Sequence, residues 1–134
     1  MAKRAKKLVV FQIGHSTGEA LKSLAILQGR EVPAIIADLT ELVLDAVAKE
    51  PRVLIRLVNK TGEKPTCFAH VALTGKYFRI AMELRSACGL GVSDFFDRLL
   101  AVGIEFYPTY GKRKKEEIIS AIRAGCVIRL SHLA

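Results

Sequence analysis

The chain has 134 residues, with 21 Lys and Arg against 13 Asp and Glu, a formal charge of +8 and 51% apolar content. A chain of this size buries roughly two-thirds of the surface its unfolded form exposes, so one domain is expected, and a disordered chain, a collagen-like fibre and a two-domain enzyme are excluded. Cys67, Cys88 and Cys126 are widely spaced and form no C-x-x-C pair, which excludes a disulfide framework and a zinc knuckle and points to a reducing, cytoplasmic compartment.

Residues 1–7 carry Lys3, Arg4, Lys6 and Lys7 and nothing to bury, so a flexible basic arm is expected, followed by a single domain over 8–134. The apolar run from Leu8 to Phe11 is too short for a secretory h-region, and no uncharged stretch approaches the about 20 residues a membrane span requires. Leu8 to Ile13, β-branched and aromatic, predicts a strand. Ser16 and Glu19 have capping-box spacing and precede a stripe of Leu21, Leu24 and Ala25 that stops at Gly29, which predicts a first helix. Pro33 suits the opening turn of a second helix, with Ile35, Leu39, Leu42, Val43 and Ala46 on one face and Pro51 closing it; a short strand over 34–38 before a shorter helix is the competing reading.

Val53–Val58 and Thr66–Leu73 are alternating or β-branched runs around a turn-rich connection, which predicts a hairpin over about 53–73. Pairing Val58 with Thr66 would set Arg56 across from Phe68 and Leu54 across from His70, so that one face carries a cation, a ring and an imidazole. Residues 76–88 match helical spacing, although the turn-like 74–76 allows a strand instead. Ser93 is expected to cap a further helix ending at Gly103, Ile104–Tyr107 to form a short strand, Lys112–Ala124 a last helix with Ile118, Ile119 and Ile122 inward, and Cys126–Leu130 a terminal strand. The expected class is α+β, a two-layer mixed sheet containing the hairpin and packed against four or five helices. No internal repeat and no low-complexity tract are evident.

Three motifs carry candidate chemistry. Gly14-His15-Ser16-Thr17-Gly18 satisfies G-x-S-x-G between a strand and a helix, and with Glu19 the segment resembles the Gly-His-Ser-x-Gly-Glu stretch of malonyl-type acyltransferases. The resemblance implies Ser16 as an acylated nucleophile with His70 or His132 as its base; the ordinary alternative is a tight turn and a helix cap. Residues 81–88 and 93–102 flank a turn that suits a helix-turn-helix, but Asp97 stands where that motif needs an apolar side chain, and Asp94 and Asp97 would meet phosphates with like charge. A helical hairpin burying Phe95, Phe96, Leu99 and Leu100 is the alternative.

The third signal is electrostatic. Lys112, Arg113, Lys114 and Lys115 sit at the start of the last helix, where the dipole is already positive, a placement that favours a bound anion. Tyr110 and Phe68 offer rings for base stacking, and Arg56 with the arm residues Lys3, Arg4, Lys6 and Lys7 would extend the positive surface. His15, His70 and His132 have no metal-ligand spacing, and Asp38, Glu41 and Asp45 read as the polar face of a helix, so neither metal nor cofactor is expected. The expectation is therefore a small non-enzymatic protein that binds DNA or RNA mainly through the phosphate backbone. The alternatives are a compact acyl-transfer or hydrolase domain acting through Ser16 and a scaffold subunit with a homo-oligomeric or other protein partner.

Overall fold

The computed structural model describes residues 6–53, 64–107 and 116–124. Strand β1 (Lys6–Ile13) leads through Gly14 into helix α1 (His15–Gln28), which is followed by α2 (Val32–Lys49). Strand β2 (Cys67–Thr74) leads directly into α3 (Gly75–Cys88) and then α4 (Val92–Phe106). Residues 116–124 form a fifth described helix, α5. The class is α+β, with a two-stranded sheet as one layer and helices as the other. Among the described residues, no helix is long and apolar enough to cross a membrane.

β1 and β2 pair antiparallel along their whole length, from Lys6 opposite Thr74 to Ile13 opposite Cys67. The described partner of the strand expected at 66–73 is therefore the first strand of the chain. The other half of the expected hairpin lies at 54–58, outside the described residues, and Val53, expected to open it, is helical and buried. The expected basic arm is also shortened, because Lys6 and Lys7 are the first two residues of β1.

The chain contains a structural repeat that its residues do not advertise. Each strand is followed by two helices, and the first helix of each pair ends on a left-handed glycine, Gly29 at φ 61° and Gly89 at φ 68°. In both copies the amide after the glycine bonds back to the carbonyl five residues earlier, Arg30 to Ala25 and Leu90 to Arg85, the Schellman closure that a Cβ would oppose. The second helix of each pair then opens at Val32 and at Val92, the same 60-residue offset that separates Gly29 from Gly89. With this offset, identity between the described elements survives only at Leu24/Leu84, Gly29/Gly89, Val32/Val92 and Leu39/Leu99, whereas inward positions of the strands and of the second helices correspond at Phe11 with Val71, Ile13 with Leu73, Ile35 with Phe95 and Ile36 with Phe96. The expectation of no repeat is corrected on this ground.

The two units are interlocked. α2 packs on β2 and on α4, while α4 packs on β1, so the second helix of each unit covers the strand of the other. At the centre, Phe96 stacks on Phe11 with ring centroids 4.5 Å apart, and Phe95 meets Phe96 edge-on. Phe95, Phe96, Leu99 and Leu100 are fully buried, as the helical-hairpin alternative requires.

Three local expectations change. Ser16 and Ser93 are not caps: both helices begin two residues earlier than those caps would allow, with Gly14 and Gly91 at the N-cap positions and no side-chain cap. Gly103 does not end its helix, because α4 continues to Phe106 through the expected strand at 104–107. The absence of a side chain at Gly103 serves packing: a Cβ would lie 3.3 Å from Leu39 on α2. The single-helix reading of 32–49, the helix at 75–88 and the buried Ile118, Ile119 and Ile122 face stand as expected.

Candidate nucleic-acid interface

Alternation in β1 and β2 decides what the ribbon shows to solvent. Val9, Phe11 and Ile13 of β1 and Val71 and Leu73 of β2 are buried against the helices. The opposite face carries Lys6, Leu8, Val10 and Gln12 from β1 and Phe68, His70, Ala72 and Thr74 from β2. Leu8, Val10 and Phe68 on that face are 65%, 60% and 78% exposed. Ile26 and Leu27, at the end of α1, are equally open at 81% and 65%. None of the outward positions is acidic.

Cations stand at both ends of the ribbon. Lys6 and Lys7 open β1 beside the end of β2, where Lys76 occupies the first turn of α3, and Lys64 precedes β2 at the other end; all four are exposed. Lys7 and Lys76 lie over the rings of Phe78 and Tyr77, with their ammonium nitrogens 5.2 and 5.5 Å from the ring centroids. These contacts hold the side chains in place without neutralising them.

The outer edge of β1 is fixed from α4. Ser93 Oγ accepts a hydrogen bond from the Gln12 backbone N–H at 2.9 Å, and Asp97 Oδ1 accepts one from the Gly14 N–H at 2.8 Å. Asp97 is 4% exposed. It therefore does not repel an approaching phosphate from a helix surface, as the helix-turn-helix geometry would have it; its carboxylate is used inside the fold. The corresponding positions of the first unit are Pro33 and Ala37, which offer no such acceptor, so the two strands are held differently.

Of the residues singled out from the sequence, the structure places Phe68 and His70 on one outward face as expected, with Lys6 on that face at the opposite end of the ribbon and Lys7 on the helix-facing side over Phe78. The cation on that face is Lys6. Arg56, Lys3, Arg4, Tyr110, Lys112, Arg113, Lys114, Lys115 and His132 lie outside the described residues. Ser16 is exposed on the first turn of α1, and among the described residues no hydrogen bond joins it to a histidine. The second glycine of its motif, Gly18, is buried beside Cys67, whose Sγ would be 3.6 Å from a Cβ there. Of the acidic trio on α2, Asp38 pairs with Arg30 and Asp45 accepts from the Tyr77 hydroxyl, and the described residues hold no group of three or more metal-ligating side chains.

Leu8, Val10 and Gln12 were not singled out from the sequence. Their signal was the i, i+2 spacing within an apolar run, which becomes legible only once the inward face is known. No family of known proteins, no curated protein and no solved structure matches this chain.

Proposed function

We propose that this is a non-enzymatic DNA-binding protein that lays its two-stranded ribbon in the major groove of double-stranded DNA, with the lysines at the ribbon ends on the flanking phosphates. The observation that carries this reading is the outward ribbon face, which among the described residues exposes Leu8, Val10 and Phe68, carries no carboxylate of its own and belongs to a chain with a charge of +8. The major groove of B-form DNA, about 12 Å wide, admits a two-stranded antiparallel ribbon, and β-ribbon readers of this kind are a known docking mode. Eight residues of strand span roughly 26 Å, enough to run along the groove with Lys6 and Lys76 at one end and Lys64 at the other against phosphates.

On this reading duplex DNA is favoured over duplex RNA, because the major groove of an A-form RNA duplex is too deep and narrow for side chains to read. Fluorescence anisotropy with duplex DNA, single-stranded DNA and duplex RNA tests the reading. Duplex DNA is expected to bind at least tenfold more tightly than duplex RNA, and log K to fall against log salt with a slope of about −4 to −5 if about five phosphates are neutralised. Val10→Asp with His70→Asp places two carboxylates at the exposed centre of the ribbon and should abolish binding while leaving the circular dichroism spectrum unchanged. Equal affinity for duplex RNA, or unchanged affinity of that double variant, overturns the reading.

A further inference from the structure

The register places a pseudo-twofold axis on one residue pair. The 60-residue offset carries Val10 onto His70, and Val10 and His70 are also direct partners across the ribbon. Rotation about this point exchanges the strands, so Leu8 and Phe68 are equivalent positions on opposite sides of the axis, and both are large, apolar and exposed. Leu8 faces Ala72 and Phe68 faces Gln12 across the ribbon, which leaves each large side chain beside a small or flexible one and free to project outward. Val10 stands between them at the axis.

In the major groove the apolar group available to such side chains is the thymine C5-methyl; every other edge presents hydrogen-bond donors or acceptors that an aliphatic or phenyl group would strip of water without replacing. We infer that Leu8, Val10 and Phe68 recognise thymine methyl groups, so that the ribbon selects a thymine-rich duplex site. This inference rests on the major-groove reading above and adds its sequence class. Leu8 and the Gln12 position opposite Phe68 are four residues apart on β1, about 13 Å, so the two outer methyl contacts fall on the order of four base-pair rises apart. The polar groups break the symmetry: Lys6 and Gln12 on β1 correspond to Thr66, just before β2, and Ala72 on β2. Gln12 pairs with an adenine edge on one side only, and Lys6 holds a phosphate on that side, so a single chain reads a site without a palindrome.

Selection from random duplexes gives the preferred site, and replacing each thymine in it with deoxyuridine removes the methyl and nothing else. Each methyl lost should weaken wild-type binding by about fourfold, and two or three together by about 15- to 60-fold. The variant Leu8→Ala with Phe68→Ala, changed only at exposed positions, should bind the thymine and deoxyuridine duplexes within about fourfold of each other, a loss of discrimination that mere destabilisation would not produce. A deoxyuridine duplex bound as tightly as the thymine duplex by the wild-type protein overturns the inference while leaving DNA binding intact. No binding to any duplex overturns the major-groove reading as well. A dimer in sedimentation that Phe68→Asp dissociates would assign the face to a second copy of the chain, which also overturns the inference.

Discussion

Replacing Asp97 with alanine removes the acceptor that holds the end of β1. The Asp97 to Gly14 hydrogen bond is 2.8 Å long and buried, and it connects α4 to the turn between β1 and α1. A hydrogen bond to a charged group contributes about 1.5–3 kcal/mol net, and its loss leaves the buried Gly14 N–H without that partner. Relief from burying a carboxylate offsets part of this, so the expected loss is about 2 kcal/mol. With a urea m-value of about 2 kcal/mol/M for a domain of this size, the unfolding midpoint should fall by about 1 M. Ser93→Ala removes a neutral, half-buried bond to the neighbouring Gln12 amide and should cost about 1 kcal/mol. Native-state hydrogen exchange reads the same event at the atom concerned: protection of the Gly14 amide should drop selectively in Asp97→Ala. A midpoint within about 0.3 M of wild type, together with an equally protected Gly14 amide, would refute the role given to this carboxylate.

The glycines separate by conformation. Gly29→Ala and Gly89→Ala meet open space but force a left-handed Cβ, and each should lose about 1–2 kcal/mol in chemical denaturation. Gly18→Ala, inside α1 with its Cβ in ordinary contact with Cys67, should instead gain about 0.5–1 kcal/mol from helix propensity; a large loss would show that the motif needs its glycine. Gly103→Val drives a branched side chain into Leu39 and Val43 and should destabilise by about 2 kcal/mol, with the lost thermal midpoint recovered in part by Leu39→Ala. At the surface, Arg52 donates from Nε and Nη2 to the two carboxylate oxygens of Glu50, both at 2.8 Å, and holds that carboxyl at about 2 instead of 4.5. The folded value lies below the unfolded one, so the pair supports the folded state above about pH 4.5, and that support fades as pH falls toward 2. Carboxyl NMR should record the low value in wild type and its return toward 4.5 in Arg52→Ala.

The sequence by itself determined what is local. The glycine stop at 29 and the inward isoleucines of the last helix each depend on neighbours within a few turns, and the chain states them directly, while periodicity over 32–49 favours one helix over the competing strand at 34–38. Charge was equally legible, and so was the pairing of Phe68 with His70 on one face, since side chains in a strand alternate whatever the partner. The tertiary structure decided the rest. Leu8 through Phe11 is apolar on both faces, so the residues alone do not say that Val9 and Phe11 go inward and Leu8 and Val10 outward; stacking of Phe11 on Phe96, more than eighty residues away, settles it. The choice of β1 as the partner of β2 joins residues far apart in the chain and follows from two interlocked units covering each other's strands, a dependence that no window of sequence contains. The repeat escaped the sequence for the same reason. Packing fixes where a side chain points and how much volume it fills, and Ile35 and Phe95 satisfy it equally well without being alike.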